Sequence, residues 1–360
     1  LTKDDELAIT VLVLGCPGAL VIGVPVSTVA GIGRAAKLGV LTKGSASLSA
    51  LKKVDTLVFD KTGTVTKGQP EVVDQWWAPE AGDQDRQLLV SVETASNHPL
   101  AKAVIDKLAQ EPLPVDDNET IAGQGMVAQV AGHQVAVGNA KLLTNHQIDL
   151  VAVAQTAPAW QAKGRSLVYI AIDGQLRGLL GISDPLKDNA KETFARLREL
   201  GYTNLIMLSG DNQATADQIG QEVGMSKVIG DLMPADKVAK IKKLQAAGHK
   251  VAFLGDGVND SPALATAEVG IAMGNGTDVA LDVSDVVLLH SDLGRLPLAL
   301  MIAKKTVVNM NQNIAIAVLT VALLFLGLMV DSIHMASGML VHELSILIVI
   351  LNGMRLLKVR

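Results

Sequence analysis

Long uncharged segments lie near both ends of the chain, and shorter apolar runs alternate with mixed segments between them. Leu7 to Ala30, Ile314 to Val330 and Ile333 to Leu351 are apolar, and only the third contains His or Glu. Each segment is close to the roughly 20 residues that a membrane-spanning helix needs. Helices buried in a soluble core rarely run so long without charge. The pattern therefore predicts three membrane helices.

Basic residues lie at one end of each apolar segment, and this orients the predicted helices. Because Lys and Arg favour the cytoplasmic side, residues from about 35 to 305 are expected in the cytoplasm. The last two helices then form a hairpin, and the chain is a multi-pass protein of the cell membrane with lipid as a partner. A net charge of −5 argues against nucleic acid as a partner. The orienting residues are Arg34, Lys37, Lys43, Lys304, Lys305, Lys358 and Arg360.

In the middle of the chain, strand-like apolar runs alternate with helical stretches, which predicts a parallel α/β sheet. Three of these runs lead directly into polar loops. Val54 to Phe59 precedes Asp60, Leu205 to Leu208 precedes Ser209, and Val251 to Leu254 precedes a Gly-Asp-Gly-Val-Asn-Asp sequence. Ligands of open α/β sheets bind at the carboxyl ends of strands, so we expect the three loops to form one site.

The sequence Asp60-Lys61-Thr62-Gly63-Thr64 places a carboxylate beside hydroxyls and backbone amides. A carboxylate that attacks a phosphoryl group forms an acyl phosphate, and nearby donors can hold the transferred oxygens. The string resembles the phosphorylation sequence of P-type ATPases. Phosphatases of the same scaffold usually carry a second Asp as acid/base at the position of Thr62. Its absence favours a phosphoenzyme that persists.

The resemblance implies roles for further residues of the three loops. Asp60, the Thr62 carbonyl and Asp256 are expected to bind Mg²⁺, which prefers hard oxygen ligands. Ser209 is expected to donate to the phosphoryl group, where family members usually have Thr. Lys237, in Met233-Pro234-Ala235-Asp236-Lys237, is similar to the family's phosphate-facing lysine. The predicted catalytic residues are Asp60, Lys61, Thr62, Thr64, Ser209, Gly210, Asp211, Lys237, Asn259 and Asp260.

The segment from Gly68 to about Gly181 is too long for a loop and is expected to form a small domain. It resembles the nucleotide-binding domain of heavy-metal P-type ATPases. His98 can stack on adenine or hydrogen-bond to it, and Glu93 can accept from its amino group. Glycines are expected to let the purine approach the backbone. The predicted ATP-binding residues are Glu93, His98, Pro99, Gly123, Gly125, Gly138 and Asn139.

Two intramembrane elements indicate a site for a transported metal ion. Cys16-Pro17-Gly18 is similar to the Cys-Pro-x element of heavy-metal transporters, although Gly18 replaces the common second cysteine. His342 and Glu343, followed by Ser345, are similar to the His-Glu-Gly-Ser/Thr element of the cobalt, iron and zinc branch. Ionisable groups at membrane depth are costly unless they are paired or bind an ion. Cys16, His342 and Glu343 are therefore predicted to bind the metal at one depth.

One thiolate, one imidazole and one carboxylate suit zinc, cobalt or ferrous iron, and cadmium where the thiolate dominates. Copper(I) prefers more sulfur and is the alternative. The predicted function is ATP-driven export of a divalent transition metal through an aspartyl phosphate, with ATP and Mg²⁺ as cofactors. Two other interpretations stay open, a phosphatase of the same scaffold and a metal sensor that does not transport.

The predicted fold is an α/β HAD-like Rossmannoid phosphorylation domain with an inserted α+β nucleotide-binding domain, joined to transmembrane helices. The chain begins with Leu1 and has no Thr-Gly-Glu sequence of an actuator domain, so a missing N-terminal part with that domain and further helices is expected. The predicted divisions are 1–45 (membrane helix with the Cys-Pro-Gly element and a cytoplasmic extension), 46–67 and 181–300 (phosphorylation domain), 68–180 (nucleotide-binding domain) and 301–360 (two membrane helices).

Overall fold

The computed structural model describes residues 11–12, 15, 18–96, 98, 100–211, 213–257, 260–330 and 332–359. The chain divides into two compact units. The first contains residues 1–58, 195–203 and 238–360, and the second contains residues 59–194 and 204–237.

The described helices and strands alternate through the middle of the chain, between long helices near its ends. The helices are α1 (Gly18–Lys37), α2 (Ser45–Lys53), α3 (Asp83–Thr94), α4 (Ala101–Leu108), α5 (Ala140–Asn145), α6 (Thr156–Gln161), α7 (Ala190–Glu199), α8 (Gln213–Val223), α9 (Pro234–Ala246), α10 (Ser261–Thr266), α11 (Asp278–Val283), α12 (Arg295–Met329) and α13 (Met335–Met354). The strands are β1 (Val40–Thr42), β2 (Thr56–Asp60), β3 (Glu71–Trp77), β4 (Val115–Ile121), β5 (Gly125–Val130), β6 (His133–Gly138), β7 (Ser166–Ile172), β8 (Gln175–Ser183), β9 (Asn204–Leu208), β10 (Lys227–Ile229), β11 (Val251–Gly255), β12 (Val269–Met273) and β13 (Val286–Leu288).

The larger sheet has seven strands in the order β1-β13-β12-β11-β2-β9-β10. The pairs β11–β12, β12–β13 and β9–β10 are parallel, as the alternating pattern predicts. Strand β1 differs, because it pairs antiparallel with β13 at the sheet edge. It follows α1 after a short turn rather than a crossover helix from a neighbouring strand. Every residue of β2, β11 and β12 is buried, which explains their continuous apolar sequences.

The smaller sheet lies within the second unit and has six antiparallel strands in the order β3-β8-β7-β6-β5-β4. Its strands alternate between two cores, because successive side chains point to opposite faces. Val168 and Ile170 of β7 pack in a core with Leu88 of α3, whereas Tyr169 packs in the other core with Leu142 of α5. The predicted α/β fold with an inserted α+β region is confirmed.

Three helices of the first unit, α1, α12 and α13 with the turn that follows it to Lys358, are long and apolar enough to cross a membrane. They pack against one another. The three apolar segments of the sequence coincide with these helices but do not predict where each helix begins and ends. Helix α12 continues for 19 residues before Ile314 as one helix of 35 residues, so its charged first part extends beyond the apolar segment. The first half of the segment from Leu7 lies mostly outside the described residues.

A network of buried side-chain amides joins the three membrane helices, and the sequence did not indicate it. The Asn313 side-chain amide donates to the Gly23 carbonyl at 3.1 Å, to Ser27 Oγ at 2.9 Å and to the Val349 carbonyl at 3.2 Å. Asn352 Nδ2 donates to Asn313 Oδ1 at 2.9 Å. Hydrogen bonds of this kind hold membrane helices together where no hydrophobic driving force acts between them.

Candidate functional site

Asp60 is the last residue of β2 and lies in a buried position at the start of a tight turn. The whole residue is only 6% exposed. The preceding Phe59 ring packs edge-on against Phe194, with ring centroids 4.9 Å apart. The turn from Lys61 to Val65 contains Gly63 at φ +70°, a backbone conformation that favours glycine. The strand and the turn thus hold the Asp60 carboxylate in a defined position.

Lys237 forms a buried ion pair with this carboxylate. Its Nζ lies 2.5 Å from Asp60 Oδ1, and both residues are less than 10% exposed. Lys237 lies in the first turn of α9, which starts at Pro234. The carboxylate of Asp236 accepts from the Met233 amide at 3.0 Å and secures the start of the helix. A buried lysine beside a nucleophilic carboxylate can neutralise an anionic group that arrives there.

A second ion pair joins two further residues of the predicted site. Lys61 Nζ lies 2.6 Å from Asp211 Oδ2. The Asp211 amide donates to Ser209 Oγ at 3.0 Å, which leaves the hydroxyl proton of this buried serine for donation to another acceptor. Gly210 lies between Ser209 and Asp211, two residues after the end of β9. The second unit therefore brings together the loops that follow β2 and β9, as the sequence predicts.

The hydroxyls of the Asp60 turn differ in their surroundings. Thr62 is exposed, whereas Thr64 is fully buried. Among the described residues, Thr64 Oγ1 has no hydrogen-bond partner. A buried hydroxyl without a partner costs about 1–3 kcal/mol, so its presence here points to a group that binds during function.

The segment Asp184 to Lys187 returns the chain to this turn. Thr66 Oγ1 donates to Asp184 Oδ2 at 2.5 Å, and the Lys67 amide donates to the Pro185 carbonyl at 2.9 Å. The Lys187 amide donates to the Val65 carbonyl at 3.0 Å. These bonds close the inserted segment at its base.

Asp256 and Asp260 belong to the first unit. Asp256 directly follows β11, and its carbonyl accepts from the Thr277 amide at 3.2 Å. Asp260 is 3% exposed and packs on Gly255, where an added Cβ would lie 2.8 Å from the Asp260 carboxylate. Asn259, the other residue predicted in this loop, lies outside the described residues.

In the second unit, a pocket of about 500 Å³ lies between α3, the turn after it, β5 and β6. His98 Nδ1 accepts from the Leu100 amide at 3.2 Å, so the neutral ring carries its proton on Nε2 and can donate from there. Pro99 lies outside the described residues. Six of the predicted ATP-binding residues line the pocket: Glu93, His98, Gly123, Gly125, Gly138 and Asn139.

Burial raises the pKa of the Glu93 carboxyl to about 7, because the charged form loses hydration at this position. In an unfolded chain the same carboxyl loses its proton near pH 4.5. Between these two values the folded state binds more protons than the unfolded state. Stability therefore falls as pH rises through this range.

We expect Glu93→Gln to remove this loss of stability. The variant should match the parent chain at pH 4.5 and should be more stable at pH 8, by an amount of the order of 3 kcal/mol. Urea unfolding followed by tryptophan fluorescence measures the stability of the second unit, which contains Glu93. All three tryptophans, Trp76, Trp77 and Trp160, lie in this unit. The exposed Glu119→Gln is the control and should follow the parent at both values. Equal pH dependence of Glu93→Gln and the parent would show that Glu93 is ionised throughout.

Two of the pocket glycines are required by the packing of neighbouring strands, in addition to the predicted approach of a purine to the backbone. A Cβ on Gly125 would lie 2.2 Å from the Val137 carbonyl, and a Cβ on Gly138 would lie 2.2 Å from the Gln124 carbonyl. These two glycines allow β5 and β6 to approach each other. Only at Gly123, with φ +70°, is the space around an added Cβ open. Gly125 and Gly138 are therefore required for the packing of the pocket wall itself.

Asn139 also supports the pocket wall. Its Oδ1 accepts from the Leu142 amide at 3.1 Å and caps α5, and its Nδ2 donates to the Gly123 carbonyl at 2.9 Å. Both polar groups of the side chain therefore hold the loop around Gly123. This geometry indicates a positioning role for Asn139.

In the membrane helices, the His342 ring lies against Gly18. An added Cβ on Gly18 would lie 3.1 Å from His342 Cε1 and 3.4 Å from Nε2. The glycine that departs from the Cys-Pro-Cys pattern thus leaves room for an imidazole. Cys16 itself lies outside the described residues. Its predicted proximity to His342 stays a prediction.

In the described structure the Glu343 side chain lies outside the interface between α1 and α13, and its predicted role as a metal ligand stays a prediction. Its side chain is 68% exposed, compared with 13% for His342, and the nearest approach is 3.8 Å between His342 Nδ1 and Glu343 Oε1. Successive residues of a helix point about 100° apart, so both cannot face α1. Ser345 is buried, and its hydroxyl donates to the His342 carbonyl.

The comparisons with known proteins agree with this arrangement. Residues 54–268 match the haloacid dehalogenase-like hydrolases. Copper-exporting P-type ATPases of Staphylococcus haemolyticus and Bacillus subtilis are 41% and 37% identical over 86% and 98% of this chain. The chain spans only 39% and 44% of their lengths. The crystal structure of a zinc-transporting PIB-type ATPase in the E2.Pi state superposes with a TM-score of 0.86 and 32% identity, over 98% of this chain and 57% of the other.

The family match covers more than half of the chain, which therefore belongs to the haloacid dehalogenase-like hydrolases. Within them it belongs to the heavy-metal, CPx-type P-type ATPases, a class of membrane enzymes. The resemblance seen in the Asp60 sequence is thus confirmed.

Proposed function

We propose that this chain carries out ATP-driven export of a divalent transition metal, through a phosphate held covalently on Asp60. The observation that carries the proposal is the buried ion pair between Lys237 and Asp60 at the end of β2. A buried carboxylate at that point, in a Thr- and Gly-rich turn, is suited to attack a phosphoryl group.

In phosphoryl transfer the protein mainly positions the groups and stabilises charge. Asp60 Oδ attacks the γ-phosphorus of ATP, the bond to the β,γ-bridging oxygen breaks, and ADP leaves. Lys237 neutralises the equatorial oxygens, and the Ser209 hydroxyl donates to one of them. The Thr64 hydroxyl, which has no hydrogen-bond partner in the described part of the chain, supplies a further donor. The ion pair of Lys61 with Asp211 holds the loop after β2 against the loop after β9.

The residues present fit a magnesium ion. Asp60 and Asp256 offer carboxylate oxygens and Thr62 offers a backbone carbonyl, and these are the hard oxygen ligands that Mg²⁺ takes. Bound Mg²⁺ would supply positive charge to the phosphate oxygens of ATP.

The nucleotide is assigned to the pocket beside Glu93 and His98. Its volume of about 500 Å³ is within the range of small-molecule sites. Glu93 can accept from the adenine amino group and His98 Nε2–H can donate to the ring. Residues 68–180 serve as the nucleotide-binding domain in this proposal, and residues 46–67 and 181–300 form the phosphorylation domain, both on the cytoplasmic side. Metal binding and phosphorylation are then reciprocally coupled.

The cargo is assigned to His342 together with Cys16, with the Glu343 carboxylate 3.8 Å from His342 Nδ1 as the third predicted ligand. An imidazole and a single thiolate favour a divalent ion such as zinc, cobalt, ferrous iron or cadmium. Copper(I) is the second candidate, because the two relatives named above are described as copper-exporting.

We expect ATP hydrolysis by the lipid-reconstituted protein that carries this chain to rise when one divalent metal is added. His342→Ala and Cys16→Ala should each abolish the stimulation, because each removes a ligand. Glu343→Ala should reduce it less, since its carboxylate is exposed. The assay compares zinc, cadmium, cobalt, ferrous iron and copper(I).

His334→Ala is the matched control, because His334 lies before α13 and not within it. It should keep full stimulation. Stimulation by copper(I) alone would replace the divalent cargo by the copper alternative. Hydrolysis that no metal changes, in a protein that still forms the phosphoenzyme, would contradict the assignment of transport.

A further inference from the structure

A groove of about 630 Å³ lies at the end of the membrane helices, in the first unit. We call it the interfacial groove. It lies between the end of α7, the first half of α12 and the turn after α13. The residues that define it are Leu200, Tyr202, Met301, Lys305, Val308 and Arg355.

The interfacial groove combines positive charge with apolar walls. Lys304, Lys305 and Arg355 line it, and so do Met301 and Val308. Among the residues that the structure describes, no carboxylate pairs with any of these three cations. Arg355 Nη1 instead donates to Asn352 Oδ1 at 3.1 Å. The groove therefore offers unneutralised charge to an anionic group.

The groove also lies at a definite depth. The uncharged part of α12 begins directly after Lys305, and α13 ends directly before Arg355. Arg34, near the end of α1, donates to the Val359 carbonyl beside the groove. All these cations mark the cytoplasmic ends of the helices, where the membrane surface carries anionic lipids. Tyr202 adds an aromatic ring of the kind found at this level.

From these observations we propose that the interfacial groove binds an anionic glycerophospholipid. The headgroup phosphate lies against Lys304, Lys305 and Arg355, and an acyl chain lies along Met301 and Val308. A free phosphate would use the cations but not the apolar wall, and a zwitterionic lipid would use the wall but carries no net charge. An anionic lipid uses both. Since the groove contacts α12 and α7 together, its occupancy stabilises the arrangement of these two helices.

The test is native mass spectrometry of the purified protein with phosphatidylglycerol or phosphatidylcholine added. We expect the protein to retain phosphatidylglycerol in preference to phosphatidylcholine. Lys304→Gln combined with Lys305→Gln should lower this preference by more than about tenfold, because each cation near the surface contributes to binding of anionic lipid. Val308→Trp should reduce retention of both lipids without a change of charge.

Lys37→Gln combined with Lys358→Gln is the control, since both residues are exposed cations at the same level outside the groove. It should leave the preference unchanged. An equal loss of preference in the control pair, or full preference in the variant with Lys304→Gln and Lys305→Gln, would overturn the proposal. Displacement of the lipid by millimolar inorganic phosphate would show a phosphate site instead. The measurement uses neither ATP nor a metal, so its outcome is independent of the proposed transport.

Discussion

Asp60→Asn should abolish the covalent phosphoenzyme. Incubation of the parent protein with ATP labelled at the γ-phosphate should give an acid-stable label that hydroxylamine releases, as an acyl phosphate does. The amide of asparagine is not a nucleophile of this kind. ATP hydrolysis should fall by roughly a millionfold, the scale seen when a covalent nucleophile is removed. The loss should appear in the chemical step, because the nucleotide pocket lies beside Glu93 and does not contain Asp60.

Asp116→Asn is the matched control for this substitution, because Asp116 is an exposed carboxylate of β4 in the same unit. It should keep full labelling. Fluorescence of Trp76, Trp77 and Trp160 should show a cooperative unfolding transition in both variants, at lower urea for Asp60→Asn because Lys237 loses its buried partner, and this excludes misfolding as the cause. Undiminished label in Asp60→Asn would place the phosphate on another residue and remove the basis of the proposed function.

Lys237→Met should slow phosphorylation by about 10²–10³-fold, the cost of removing one group that stabilises developing charge. Methionine keeps the length of the side chain but removes the cation that lies 2.5 Å from Asp60 Oδ1. Because Lys237 contacts the reacting carboxylate and not the nucleotide pocket, the affinity for ATP should change little. Rapid-quench measurement of label at several ATP concentrations separates the rate from the affinity.

Lys242→Met tests whether any lysine of α9 would have this effect. Lys242 is exposed on the same helix, so its replacement should leave the phosphorylation rate unchanged. An unchanged rate in Lys237→Met would indicate that the buried ion pair is structural. A fall in both variants would point to the general positive charge of the helix.

The chemistry of the site was predictable because it depends on residues that are covalent neighbours or that follow buried strands. The Asp60 turn carries its nucleophile and hydroxyls within five residues, and the apolar run before it predicts a buried strand. Ser209 and Asp211 follow β9 in the same way. The predicted orientation of the membrane segments rests on the distribution of cations along the chain in the same way.

The direction of individual side chains was not predictable in the same way. His342 and Glu343 are neighbours in the sequence, yet only the first faces α1, because helix packing selects one side of α13. Gly125 and Gly138 were expected to admit a purine, whereas pairing of β5 with β6 places each beside the backbone of the other strand. These outcomes depend on which surfaces meet, and no local pattern specifies that.

The sequence by itself thus determined the class of protein, the Asp60 turn with its hydroxyls, the three membrane segments and six residues that line one pocket of the second unit. Only the tertiary structure decided that Lys237 pairs with Asp60, that Asn139 supports a loop, that Asn313 joins three helices and that three cations line one interfacial groove. The reason is that each of these features is a contact between residues far apart in the chain. Such contacts follow from the packing of whole elements, whereas motif chemistry follows from the order of adjacent residues.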